Sequence, residues 1–159
     1  MDRAHVITVS DGVSAGTRTD ASGPVLRDLL KSAQFEVSGP EVVPDDQARI
    51  SQAILAAIGD ANDLVITTGG TGLGPRDVTP QATSRLIDYE VPGLGELMRR
   101  TGAASTPMAV LARGVVGVRG RSMIINVPGS PKGARESLEA LLPVLGHAMQ
   151  LLHGNTKHQ

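Results

Sequence analysis

Four glycines fall within the six residues Gly69-Gly70-Thr71-Gly72-Leu73-Gly74, directly after the apolar run Leu64-Val65-Ile66-Thr67 and its neighbour Thr68. A backbone so free of side chains can bring several amide N–H groups close to a ligand oxygen. A helix beginning just beyond it adds positive potential, and the two together suit a phosphate. No Gly-Lys-Ser/Thr closes the segment, so it is not a P-loop, and glycines at 69, 70, 72 and 74 do not have dinucleotide-binding spacing. A glycine cluster alone could equally be a flexible turn. The dipeptides Thr79-Pro80 and Ser130-Pro131 each read as a helix N-cap followed by proline in the first turn, and that recurrence favours binding.

Two acidic positions bear on the same chemistry. Asp77 precedes Thr79 in the loop, and Thr79 already fills the predicted cap position. A carboxylate beside a phosphate is repulsive unless a cation intervenes, and Mg²⁺ would resolve the conflict by linking the two. Asp45-Asp46 precedes an amphipathic run, where capping a helix is the commoner employment of either residue. The histidines, His5, His147, His153 and His158, all lie outside these loops and match no common ligand spacing, so they read as packing or solvated residues. A histidine-dependent hydrolase is disfavoured.

These loops need a scaffold, and alternating strands and helices supply it. The β-branched run His5–Ser10 predicts a strand ending at Asp11-Gly12, and Val25, Leu26, Leu29, Leu30 and Ala33 predict a helix. Phe35–Val43 reads as extended, interrupted at Gly39-Pro40, and Ile50, Ala53, Ile54, Ala57 and Ile58 form a helical stripe. After the strand Leu64–Thr67, helices are expected through Ala82, Leu86 and Ile87 and over Leu94–Arg100. Gly114–Val118 and Met123–Asn126 suggest a hairpin. A last helical stretch runs from Ala134 to Leu152, which Pro143 should kink or divide. The pattern predicts an α/β fold, a three-layer αβα sandwich around a mostly parallel sheet, as one domain over residues 1–159 with its core at about 5–152. Ligands in such sheets sit beyond the carboxyl ends of the strands. Ser10-Asp11-Gly12, Thr68–Thr79 and Val127–Lys132 should therefore converge. The tail Gly154–Gln159 is polar and expected to be mobile.

Composition narrows the partners. The 159 residues carry 15 Lys plus Arg against 16 Asp plus Glu, one Phe, one Tyr and no Trp. A near-neutral chain without aromatic platforms is poorly suited to nucleic acid. The absence of cysteine excludes disulfides, thiolate nucleophiles and zinc–cysteine sites. No apolar run approaches membrane-spanning length and the amino terminus does not read as a secretory signal, so a soluble, cytoplasmic protein is expected.

Thr67-Thr68-Gly69-Gly70-Thr71-Gly72, continuing to Pro75-Arg76-Asp77-Val78-Thr79-Pro80, resembles the signature of the molybdopterin adenylyltransferase family, which includes the G domain of gephyrin. Val9-Ser10-Asp11, Val43-Pro44-Asp45-Asp46, Pro92-Gly93-Leu94-Gly95-Glu96 and Asn126-Val127-Pro128-Gly129-Ser130-Pro131-Lys132 fall in family order, so the resemblance spans about His5 to Leu152. It implies a molybdopterin-binding fold and Mg²⁺-dependent transfer of AMP from ATP to the terminal phosphate of molybdopterin, releasing pyrophosphate. By that resemblance Asp45 and Asp77 are the catalytic, metal-holding carboxylates, and Thr68, Gly69, Gly70, Thr71 and Gly72 hold nucleotide phosphate. Ser10, Asp11, Glu96, Gly129, Ser130 and Lys132 contact or wall the pterin. A homotrimer, or a hexamer, and a separate protein for molybdate insertion are also implied. Two other readings stay open: a non-catalytic molybdopterin carrier, and a nucleotide pyrophosphatase or amidohydrolase of the competence-damage type.

Overall fold

The computed structural model describes residues 1–156. Its six strands are β1 (Arg3–Val9), β2 (Glu36–Val43), β3 (Leu64–Thr68), β4 (Tyr89–Glu90), β5 (Val116–Arg119) and β6 (Ser122–Val127). They form one sheet in the order β2-β1-β3-β6-β5-β4. β2, β1, β3 and β6 are mutually parallel, while β5 and β4 run antiparallel to their neighbours. The helices are α1 (Asp11–Ser14), α2 (Ser22–Ser32), α3 (Gln47–Gly59), α4 (Thr79–Ser84), α5 (Pro92–Ala103) and α6 (Pro131–Leu152), with a 3-10 turn at Pro107–Leu111. The predicted α/β sandwich is therefore observed.

Apolar side chains on both faces of the central strands explain why those strands read as unbroken hydrophobic runs. Val6, Ile66 and Ile125 point to one face, where they pack with Leu26, Leu30, Leu138 and Leu141 of α2 and α6. Their sequence neighbours Ile7, Val65 and Ile124 point to the other, against Ile50 and Ile54 of α3. Successive residues of a strand face opposite ways, so each pair of adjacent apolar residues serves both layers.

Several local expectations are corrected. Thr79 is not an N-cap: α4 starts on Thr79 itself, Val78 occupies the cap position without a side-chain bond, and α4 ends at Ser84. The Thr79 hydroxyl instead donates to the Gly69 carbonyl at 2.9 Å, a tertiary bond that outweighs the local cap. Pro143 does not divide α6, which runs unbroken from Pro131 to Leu152. The buried face Ala134, Leu138, Leu141, Leu145 and Met149 continues past it, with Pro143 on the solvent side where an opened backbone bond costs least. β2 likewise continues through Gly39-Pro40, whose peptide is cis, with a register shift opposite His5 to Ile7. Asp11–Ser14 forms a helical turn rather than a simple reversal, and neither β4 nor the 3-10 turn was signalled by periodicity.

The β5–β6 hairpin is present, turning at Gly120-Arg121 with φ +59° at Gly120. His5 bridges Ser38 Oγ at 2.7 Å and Glu41 Oε2 at 2.8 Å, while His153 Nε2 lies 2.9 Å from Asp63 Oδ1. His147 is exposed on α6. His158, and with it the end of the polar tail, lies outside the described residues. Among those residues no helix is long and apolar enough to cross a membrane.

Candidate functional site

The strands β1, β3 and β6 are adjacent and parallel, so the segments that leave them emerge at one edge. The Gly69 amide donates to the Val127 carbonyl at 3.2 Å, and Thr68 Oγ1 donates to the Pro128 carbonyl at 2.8 Å. Gly69 adopts φ +101° and lies so close to β1 that a Cβ there would collide with the Val9 carbonyl oxygen. A Cβ on Gly129 would come within 3.1 Å of the Gly69 Cα. The three predicted segments therefore meet, and glycine is required where they cross. Thr68 is buried and its hydroxyl is committed within this junction, with Ser22 Oγ a further 3.1 Å away.

Beyond that junction the amides of Gly70, Thr71, Gly72 and Leu73 have no acceptor among the described residues. The carbonyls of Gly70, Thr71 and Gly72 and the tip of the loop are held. Gly70 O accepts from the Thr79 amide at 3.2 Å, and the Gly74 amide donates to Asp77 Oδ2 at 2.8 Å. Four consecutive unclaimed donors on a glycine-rich turn are the arrangement that an anionic oxygen would complete.

Asp45 sits at the end of β2, beside this run. Its amide donates to Asp11 Oδ1 at 3.0 Å, and the Asp11 amide donates to Asp45 Oδ2 at 2.9 Å. Asp46, not Asp45, caps α3 by accepting from the Arg49 amide at 2.9 Å. Arg76 reaches from the loop to Asp11 with Nε at 3.0 Å and Nη2 at 3.1 Å. That guanidinium, with the Asp45 amide, holds the Asp11 carboxyl below its ordinary range. Burial pushes Asp45 upward, opposed by the Asp11 amide and reinforced by the negative charges of Asp11 and Asp77. Among the described residues neither Asp45 nor Asp77 has a basic nitrogen within salt-bridge distance. Two unpaired carboxylates beside a phosphate-seeking turn fit Mg²⁺, which binds through one or two carboxylates and takes its remaining oxygens from phosphate and water. Among the described residues, the one group of three ligand atoms lying mutually within 4.8 Å, Asp2, Asp63 and His153, is at the opposite edge of the sheet.

A cavity of about 280 Å³ opens on the other side of the glycine loop. Thr71, Gly72 and Ser130 stand at its border with the loop, and Met98, Arg99 and Met108 contribute from α5 and the 3-10 turn. Ser10 and Ser130 each cap a helix, accepting from the amides of Val13 at 3.2 Å and Gly133 at 3.0 Å, which leaves each hydroxyl proton free to donate. Gly129 is exposed beside Ser130. Lys132 is largely exposed, 3.9 Å from Glu136. Glu96 is exposed on α5 between Gly95 and Arg99, both of which line the cavity, but it does not line the cavity itself.

Sequence reasoning missed three residues that shape this edge. Arg76 stands inside the loop motif and binds the Asp11 carboxylate. Arg113 binds the loop from the segment before β5. Asp20 accepts from Thr8 Oγ1 at 2.8 Å and from the Gly23 amide at 3.0 Å beneath the site. The partners of Arg76 and Arg113 are distant in sequence, and although Asp20 has a local partner in the Gly23 amide, its bond to Thr8 is set by the fold.

This geometry has relatives. A family described as a probable molybdopterin binding domain matches residues 5–147. The chain belongs to the molybdopterin-binding family of molybdenum cofactor biosynthesis proteins. It is 39% identical over 156 residues to the molybdopterin adenylyltransferase of Helicobacter pylori, covering 94% of this chain and 87% of that one. A molybdenum cofactor biosynthesis bifunctional protein of Chlorobaculum tepidum is 35% identical over 96% of this chain, which spans 49% of that relative's length. Among solved structures, the molybdopterin biosynthesis enzyme MoaB of Thermus thermophilus superposes with a TM-score of 0.91 at 54% identity, covering 97% of this chain and 98% of that one. The family's role in molybdenum cofactor synthesis thus agrees with the motifs around residues 67–80 and 126–132.

Proposed function

We propose that the chain is a molybdopterin adenylyltransferase: it moves AMP from ATP to the terminal phosphate of molybdopterin, in an Mg²⁺-dependent reaction that releases pyrophosphate. The observation that carries this reading is the run of four unclaimed amides, Gly70 to Leu73, flanked by the unpaired carboxylates of Asp45 and Asp77. The full-chain likeness to an H. pylori protein named for that activity supports it.

A terminal phosphate oxygen of molybdopterin attacks the α-phosphorus of ATP. The bond between that phosphorus and the oxygen bridging to the β-phosphate breaks, and pyrophosphate leaves with the electron pair. The nucleophile is already ionised at neutral pH, so no histidine base is needed, and alignment with charge neutralisation supplies the catalysis. The free amides of Gly70, Thr71 and Gly72 bind nucleotide phosphate oxygens. Asp45 and Asp77 would hold Mg²⁺, which supplies neutralisation of the phosphates when bound. Ser130, Gly129 and the amino end of α6 receive the molybdopterin phosphate, with Lys132 nearby, and the apolar cavity beside Ser130 takes the ring system. Ser10 and Asp11 border the reacting phosphates from β1, and Glu96 stands outside the cavity wall.

In this reading the protein works as a homotrimer or hexamer, for which the exposed Met108, Val110 and Leu111 of the 3-10 turn offer apolar contact. In this reading the product passes to a separate molybdate-inserting protein. Sedimentation at micromolar concentration reads the assembly state. The activity is tested by incubating the protein with molybdopterin and Mg·ATP. Adenylylated pterin with stoichiometric pyrophosphate is the expected result. Tight molybdopterin binding without turnover would identify a carrier instead.

A further inference from the structure

The four free amides are neighbours in sequence, and what frees them is visible on the carbonyl side of the same peptides. In a trans peptide the C=O and the following N–H point in opposite directions, so fixing a carbonyl fixes where the next amide points. Gly69 O accepts from Thr79 Oγ1 at 2.9 Å and Gly70 O from the Thr79 amide at 3.2 Å. Thr71 O accepts from the Arg113 amide at 2.9 Å and Gly72 O from Arg113 Nε at 2.9 Å. Two residues therefore hold four successive carbonyls, and each of the amides from Gly70 to Leu73 is turned away from its holder.

Arg113 does more than Thr79. Its Nη2 donates to the Asp77 carbonyl at 2.9 Å, and its Nη1 lies 3.4 Å from Gln81 Oε1. The same guanidinium thus spans the loop, joining Gly72 on the outgoing limb to Asp77 on the returning limb. Between these limbs stand Leu73, Gly74, Pro75 and Arg76, all exposed. A glycine-rich segment of this kind loses much backbone entropy on ordering. A planar fork with several donors in fixed geometry satisfies two carbonyls at once, which a single ammonium does not reproduce. Arg113 does not line the cavity, and its donors are turned to protein carbonyls.

We infer that Arg113 is the positioning residue of the phosphate cradle: its main-chain amide orients the Gly72 amide, and its fork presets the Leu73 amide and the backbone of Asp77 for the nucleotide, without touching it. The inference rests on the proposed adenylyltransferase reading and names the residue that sets nucleotide affinity within it.

The test compares wild type with Arg113→Lys and Arg113→Gln by steady-state adenylylation, thermal unfolding and amide hydrogen exchange. Both variants are expected to raise the KM for ATP about tenfold or more with kcat within about threefold, a loss of preorganised binding rather than of chemistry. Exchange should quicken at the bonded loop amides of Gly74 and Asp77 and stay unchanged in the core. Lysine retains the charge but not the fork, so recovery of wild-type KM in Arg113→Lys overturns the inference in favour of a charge effect. A wild-type KM in Arg113→Gln, or a loss confined to kcat, also overturns it, as does loop exchange that is unchanged in both variants. If Arg113→Gln does not fold, Arg113→Lys alone decides by the same readouts. An inactive wild type would instead remove the adenylyltransferase reading, and the exchange comparison, which needs no activity, would still judge the role of Arg113 in the loop.

Discussion

Asp11 and Asp45 exchange backbone amides, each donating its N–H to the other's carboxylate at 3.0 Å or less. The exchange joins the ends of β1 and β2 and at the same time holds two negative groups together. Arg76 compensates Asp11 but leaves Asp45 without a cation of its own.

That imbalance makes Asp45 a cost to folding. An acid whose pKa is higher folded than unfolded binds its proton more tightly in the folded state, so its contribution favours folding at acid pH and turns unfavourable as pH rises through the raised value. Asp45 is raised above 3.8, chiefly by burial. Asp11 is lowered below 3.8 by Arg76, so its contribution is present above 3.8 and is lost as pH falls through its folded value. Asp45→Asn, which keeps an oxygen for the Asp11 amide, should therefore raise Tm at pH 7 while removing turnover. The gain should shrink as the pH is lowered through the raised Asp45 value. Scanning calorimetry at several pH values checks this, and a lower Tm at neutral pH would contradict the account of Asp45.

Asp77→Asn should keep the fold, because the amide oxygen can still accept from the Gly74 N–H. Turnover should fall about a hundredfold or more, the scale on which removing a transition-state charge stabiliser acts. Unfolding curves and initial rates measured on one preparation separate the two effects. Wild-type rates would rule out a metal-holding role for Asp77.

Gly69→Ala places a side chain at φ +101°, directed at the Val9 carbonyl. Backbone strain of this kind costs about 1–3 kcal/mol before the collision is counted. For a chain of this size each kcal/mol lowers Tm by roughly 2–4 °C. A loss of several degrees is expected, with a lowered affinity for ATP. Retention of the wild-type Tm would mean that the junction of β1, β3 and β6 is looser than described.

Asn126 is buried and fully bonded: its Nδ2 donates to Thr67 Oγ1 at 2.9 Å and Thr83 Oγ1 at 3.0 Å, and its Oδ1 accepts from the Val115 amide at 3.1 Å. Asn126→Ala leaves that amide without an acceptor, and each orphaned buried polar group costs about 1–3 kcal/mol. Urea unfolding should show a clear drop in midpoint. An unchanged midpoint would mean that water replaces the lost amide group.

The sandwich was legible because β-branched runs and helical stripes alternate along the chain and each central strand is apolar on both faces. Val6-Ile7 and Ile124-Ile125 carry that signal in adjacent residues. The convergence of Ser10, Gly69 and Gly129 followed from the rule that ligands gather at the carboxyl edge of parallel strands. What escaped was tertiary. Thr79 carries every local mark of a helix cap, yet its hydroxyl goes to a carbonyl ten residues earlier. Local spacing does not say which of Asp45 and Asp46 caps the helix, although the family resemblance singles out Asp45, and the fold assigns capping to the second and the Asp11 exchange to the first. Arg113 stands outside every motif, and its partners lie 32 to 42 residues away.

The reversal between β6 and β5 explains how such a residue reaches the ligand edge. In a sheet whose strands all run one way, that edge is furnished by residues leaving strands, and residues entering them collect at the far rim. Because β5 travels backward, its approach passes the rim where β1, β3 and β6 finish, and Arg113 arrives three residues before Val116. One short return strand thereby imports a cation to a place that the sheet's main direction would have supplied only with strand exits.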